Sequence, residues 1–322
     1  SIQWPFLLFL RFRSGSSEPE AAAGLENDAS SEDAFQTGLA HSYSNIPELP
    51  MTDNSALRPD ALTPKEITEK VLGLGVTKSS MDLRTQLPLT VLAGFYIGLG
   101  GLFCTLFMSD STLPFAVQKF MGGAVFSLGL YLVLVAGAEL YTGNTMLAGA
   151  AVDGRISWGA AVMNWVRVWL GNFVGALALV TLVYFAHVAD TGPMAKGMMS
   201  IAVGKLSADW TTIMIKGILC NLLVCLGVWV GYAGRTVVDK AVGVVLPVSA
   251  FVALGFEHCV ANMYFLPLAF VLKLSGYAPE GVPLDVITIE NIVKNLSAAT
   301  VGNTIAGVVL VLMYWAAFRK RA

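Results

Sequence analysis

The chain has 322 residues, of which 55% are hydrophobic and only 13% charged, and its mean hydropathy is +0.67. A soluble domain carries about 25% charged residues, so this composition excludes a water-soluble globular protein and points to one integral to a membrane. The formal net charge of −2, with no clustered basic patch, argues against a nucleic-acid partner.

Residues 1–60 form an unassigned N-terminal tail. Its acidic, small and polar run SGSSEPEAAAGLENDASSEDAFQ is expected to be disordered, and the apolar IQWPFLLFL ahead of it is too short to span a bilayer. Residues 61–84 read as a helix at the cytoplasmic mouth. In ALTPKEITEKVLGLG, Thr63 caps that helix, Pro64 takes its first position and Glu66 closes a capping box. The end is expected near Gly73 or Gly75.

Residues 85–320 read as a transmembrane domain. A bilayer core about 30 Å thick needs roughly 20 apolar residues per helical crossing, and six segments qualify. They run from about Leu87 to Met108, Phe115 to Val152, Trp158 to His187, Thr211 to Ala233, Ala241 to Leu274 and Leu296 to Phe318. The fold class is therefore all-α integral membrane protein. Cys104, Cys220, Cys225 and Cys259 lie inside apolar stretches without a CxxC pair and read as packing residues. With the N-terminus inside, the inner side holds Lys65, Lys70, Lys78, Arg84, Arg155, Arg235, Lys240, Arg319, Lys320 and Arg321. The outer side holds Lys119, Lys196, Lys205, Lys273 and Lys294. That bias places both termini in the cytoplasm, and the cell (inner or plasma) membrane is the expected location.

The second and fifth segments are too long for one span, and polar motifs interrupt both. Gly137, Glu139 and Asn144 in the second match Gly255, Glu257 and Asn262 in the fifth at a constant offset of 118 residues. Asn164 and Gly171-Asn172 in the third match Asn295 and Gly302-Asn303 in the sixth at an offset of 131. Three spans followed by three more make the second copy enter from the opposite side, so the expected architecture is an inverted 3+3 repeat with the second and fifth helices broken. Non-helical backbone at membrane depth is tolerated only where it is buried in protein or lines a cavity. An intramembrane charge costs on the order of 2.5–3.5 kcal/mol on insertion scales. Glu139 and Glu257 are expected to hold the loops by accepting hydrogen bonds from the broken-helix backbone, with Asn144 and Asn262 in support.

The stretches GAELYTGN, GILCNLLVCLGVW, GFEHCVANM and NLSAATVGNTIAG resemble the signature segments of the formate/nitrite transporter family, over about Lys78 to Phe318. The resemblance implies an aquaporin-like fold and a homopentamer with one pore per subunit. It also implies passage of small monovalent anions or their weak acids: formate, acetate, lactate, nitrite or hydrosulfide. It places the central histidine on His258, the loop threonine on Thr142 and the fourth-span asparagine on Asn221. Lys78 (GVTK) and Lys205 (GKLS) become the vestibule lysines. Phe126, Leu130 and Leu140 become one constriction, and Tyr141, Val224 and Phe251 the other. Gly143 falls in the same loop, and Tyr141 stands where many members have phenylalanine, so its hydroxyl is expected to wet the constriction.

These residues suggest a mechanism without enzyme chemistry, metal or cofactor. Lysines at each mouth concentrate anions, apolar rings penalise a bare charge, and desolvation raises the proton affinity of the entering anion. The weak acid then crosses as a neutral, proton-coupled species past His258. Small monocarboxylates are favoured, with nitrite or hydrosulfide as the alternative. A neutral-solute channel would carry paired Asn-Pro-Ala motifs, which neither loop has. A metal site would need a second intramembrane histidine, whereas His41 lies in the tail and His187 at a span end.

Overall fold

The computed structural model describes residues 61–319. The tail expected over 1–60, with His41, and the basic residues Lys320 and Arg321 lie outside the described residues. Every regular element among those described is helical.

Helix α1 (Pro64–Ser79) begins as the sequence predicts: the Thr63 hydroxyl accepts from the Glu66 amide at 3.4 Å, and the Glu66 carboxylate accepts from the Thr63 amide at 2.8 Å. It does not stop at Gly73 or Gly75 but continues to Ser79. Gly75 is a packing requirement, since a Cβ there would lie 2.7 Å from Ala150 Cβ. The last turn of α1 carries Lys78.

Helix α2 (Leu83–Met108) is capped by Asp82, whose carboxylate accepts from the Thr85 amide at 3.0 Å. Helix α3 (Phe115–Leu132) runs into a π-helical turn, Val133–Gly137. Gly137 adopts φ +81°, a conformation open to glycine, and the chain is non-helical until the short helices α4 (Tyr141–Asn144) and α5 (Leu147–Val152). Helix α6 (Trp158–Phe185) follows, then α7 (Met194–Leu206), which is not among the sequence expectations and carries Lys205 in its last turn. Helices α8 (Trp210–Ala233) and α9 (Val237–Ala253) come next. A second non-helical stretch, with Gly255 at φ +67°, leads into α10 (Cys259–Leu274). Helix α11 (Ile289–Phe318) starts seven residues before the expected Leu296. Its first turns hold Glu290, Asn291 and Lys294, polar enough to escape a hydropathy reading yet helical behind the Thr288 cap.

Five helical stretches are long and apolar enough to cross a membrane: α2, α3 with its π turn, α6, α8 and α11. The apolar segment expected over 241–274 is divided between α9 and α10, of 17 and 16 residues. Exposed apolar side chains such as Leu106, Val174, Leu182 and Met313 stud the outer faces of α2, α6 and α11. Between helices, small residues permit backbone contact. A Cβ on Gly302 would sit 2.1 Å from the Met214 carbonyl oxygen, pinning α11 to α8.

Candidate functional site

The two non-helical stretches are held by the same hydrogen bonds made twice. The Asn172 side chain, from α6, accepts from the Tyr141 amide at 2.9 Å and donates to the carbonyls of Thr90 (2.7 Å) and Glu139 (2.9 Å). The Asn303 side chain, from α11, accepts from the Cys259 amide at 2.9 Å and donates to the carbonyls of Gly217 (2.8 Å) and Glu257 (2.9 Å). Both asparagines are fully buried; each satisfies one amide and one carbonyl that the break would orphan and ties them to a carbonyl of a continuous neighbouring helix. The backbone is thus held by Asn172 and Asn303, and not by the glutamate side chains as expected.

Glu139 and Glu257 take their hydrogen bonds from side chains. Asn144 donates to Glu139 at 2.7 Å and to the Asn164 amide oxygen at 3.0 Å. Asn262 donates to Glu257 at 2.6 Å and to the Asn295 amide oxygen at 2.7 Å. Asn164 donates back to the Lys78 carbonyl and Asn295 to the Lys205 carbonyl, each at 3.0 Å. Each network ends in an ion pair, Lys78–Glu139 at 2.8 Å and Lys205–Glu257 at 3.2 Å. The lysines are therefore fixed to the loops rather than loose at the mouths. Burial by itself lowers the Lys78 pKa, but Tyr232 and the neighbouring Glu139 carboxylate reverse the sign and hold it above the ordinary lysine value, so Lys78 stays a cation.

The ends of the networks open into separate cavities. One, of about 430 Å³, is lined by Lys78, Glu139, Leu140, Gly143, Asn144 and Tyr232. The other, of about 270 Å³, is lined by Phe126, Lys205, Phe251, Glu257 and His258, among others. Between them the Thr142 hydroxyl meets His258 Nε2 at 3.2 Å, both side chains buried. His258 also caps α10, its Nδ1 accepting from the Ala261 amide at 3.0 Å. The His258 ring stacks on Phe251, which in turn meets Phe126 edge-on, with both pairs of ring centroids 5.7 Å apart.

Not all of the expected residues line the cavities. Phe126 stands with Phe251 on the Lys205 side and not with Leu140 on the Lys78 side. Leu130 and Val224 are buried and line neither cavity. Asn221 sits behind the loop, donating to the carbonyls of Thr142 (3.2 Å) and Asn303 (2.6 Å), which makes it a positioning residue. Tyr141 points away from the path into an apolar groove with Trp165 and Trp169, where its hydroxyl meets that of Thr304 at 2.7 Å. Tyr141→Phe is accordingly expected to leave transport selectivity unchanged and to cost about 0.5–1.5 kcal/mol of stability, checked by parallel uptake and thermal-melting measurements.

In the sequence Asn172 and Asn303 stand out only as repeat landmarks. Their shared spacing behind glycines was the available signal for their role as loop clamps. Lys119 and Lys216, which also line the Lys205-side cavity, were assigned no part in the path.

Comparison with known proteins decides the class. The family model described as formate/nitrite transporter matches residues 65–317. The chain belongs to the formate/nitrite transporter family. Among its relatives in that family, the formate channel FocA of Escherichia coli strain K12 is 37% identical over 275 residues, covering 81% of this chain and 96% of the relative. The probable formate transporter of Methanothermobacter thermautotrophicus is 34% identical over 278 residues, covering 80% and 97%. A solved pentameric formate channel with formate bound shares 34% identity at a TM-score of 0.64, covering 74% of this chain and 98% of that one. A solved FNT family ion channel shares 30% at a TM-score of 0.69, covering 78% and 98%. Membership makes this chain an integral membrane transporter of small anions or their weak acids and not an enzyme.

Proposed function

We propose that this chain forms a homopentameric formate channel, with one proton-coupled path per subunit between the Lys78 and Lys205 cavities. Other small monocarboxylates share the path. The observation that carries the reading is the Thr142–His258 contact, buried between two lysine-bearing cavities. The names of the relatives support formate, and the solved pentamer supports the assembly. None of these names points to nitrite. The duplicated networks support an aquaporin-like inverted repeat of three plus three spans, in which α3 to α5 and α9 to α10 are the broken second and fifth. The tail over 1–60, the mouth helix over 61–84 and the pore domain over 85–320 complete the organisation. The bias of basic residues supports cytoplasmic termini in a cell membrane bilayer.

The His258 contacts favour one account of the proton. Because Nδ1 accepts from the Ala261 amide, the neutral imidazole carries its hydrogen on Nε2 and donates toward Thr142. An imidazolium would turn Nδ1 into a donor facing another donor and forfeit the cap. His258 therefore acts as a hydrogen-bond donor to the carbonyl oxygen of the passing acid, and the Thr142 hydroxyl hydrogen is left to serve as a second donor. The proton that neutralises the carboxylate comes from water at the mouths, where desolvation raises the acid's proton affinity.

Uptake of labelled formate, lactate and nitrite into proteoliposomes, with and without an inward proton gradient, tests the reading. Carboxylate uptake that rises with external acidity is the expected result. Nitrite-only uptake overturns the substrate class, and pH-independent flux overturns the neutral-acid passage.

A further inference from the structure

We propose that Lys216 is a second anion-capturing ammonium, which makes the Lys205-side cavity bind small carboxylates more tightly than the Lys78 side. The inference rests on the channel reading above and adds a residue that sets affinity on one face.

The two cavities differ in charge. On the Lys78 side one ammonium, Lys78, faces one carboxylate, Glu139, and the two are paired at 2.8 Å. On the Lys205 side three ammonium groups, Lys119, Lys205 and Lys216, face the single carboxylate of Glu257, with His258 and the Cys104 thiol the remaining titratable neighbours. Lys205 is taken by Glu257 at 3.2 Å and by the Phe256 carbonyl at 3.5 Å. Lys119 lies 3.7 Å from Met108 Sδ and over the Phe115 ring at 5.7 Å. The Lys216 ammonium has no hydrogen bond or ion pair among the described residues, although its side chain is half-buried in the cavity wall of a membrane helix. A cation in that setting is costly unless water or an anion serves it.

The fold does not explain the charge. Lys216 contributes its carbonyl, which accepts from the Glu257 amide at 3.4 Å, just as the Leu89 carbonyl accepts from the Glu139 amide at 3.1 Å. Leu89 lines the opposite cavity in the corresponding place and performs the backbone task with an apolar side chain. A lysine at that position adds a charge to the cavity and nothing to the loop. In a half-open cleft such a charge focuses the field on entering anions, and a small monocarboxylate fits within about 270 Å³.

The test is initial formate uptake against formate concentration in proteoliposomes of the full chain, at low and raised ionic strength, for wild type, K216L, K216Q and K216R. K216L reproduces the residue of the other cavity, so it is expected to assemble. K216Q takes its place if it does not. At low salt, K216L is expected to raise the half-saturating concentration about three- to tenfold, with the maximal rate within about twofold of wild type. K216R should stay near wild type, and raised salt should carry wild type toward K216L through screening. A folded K216L and K216Q with unchanged half-saturation overturn the inference, as does a fall in maximal rate alone. Wild-type protein that takes up no formate defeats the channel reading itself, which separates the two failures.

Discussion

Replacing Asn303 by leucine is expected to destabilise the folded channel severely, and replacing Asn172 by leucine to do the same. Leucine preserves volume but withdraws the acceptor for the Cys259 amide and the two donors for the Gly217 and Glu257 carbonyls. It equally withdraws the partners of the Tyr141 amide and of the Thr90 and Glu139 carbonyls at the other loop. Each orphaned buried group costs about 1–3 kcal/mol, so the amide and the carbonyl of each break sum to about 2–6 kcal/mol per substitution. Against a total stability of about 5–15 kcal/mol, that loss is a large fraction of the whole. Neither lipid nor water reaches these groups to compensate. Size-exclusion profiles and melting temperatures of detergent-solubilised variants check the expectation, with Tyr141→Phe as the mild comparator. A monodisperse N303L melting with wild type would mean that the loop does not depend on its asparagine clamp.

These clamps show where sequence reading succeeds and where it stops. The apolar lengths of α2, α3, α6 and α8 are plain because each nearly fills a bilayer with residues that tolerate nothing else. The helix over Met194–Leu206 is hidden because it neither spans nor shows a strong cap, its N-cap being Pro193 with no side-chain hydrogen bond. Gly75 reads as a stop in the sequence because a glycine that ends a helix and one that lets a neighbour approach look alike in one dimension. Only the contact with Ala150 separates them. Spacing revealed that Glu139 and Glu257 are paired motifs, yet it did not reveal their partners. Whether a carboxylate takes backbone or side-chain donors depends on where α6 and α11 bring Asn164 and Asn295. The facing of Tyr141 is lost for the same reason. In a one-turn helix after a break, a single residue's rotation decides between the path and the outer groove.

Substitution of His258 by asparagine is expected to leave a folded channel that carries formate about two- to tenfold more slowly. His258 has two jobs on two nitrogens, and asparagine retains one of them. Its side chain is among the best helix N-caps, so the bond given by the Ala261 amide to Nδ1 survives. It is too short to reach Thr142, so the donor that now meets the hydroxyl at 3.2 Å is lost from the path. A hydrogen bond to a neutral acid is worth about 0.5–1.5 kcal/mol, which corresponds to roughly two- to tenfold in rate. H258F forfeits the cap as well and should lose about a further 1 kcal/mol of stability relative to H258N. T142V keeps the shape of the threonine while deleting its hydroxyl, and should slow transport comparably. Because the two groups serve the substrate as a pair, the double variant H258N/T142V should fall short of the product of the single losses. Rates from formate-loaded proteoliposomes and melting temperatures of the same preparations separate the two roles. An H258N channel with wild-type flux would remove Nε2 from the transport step and leave His258 as the cap of α10 alone.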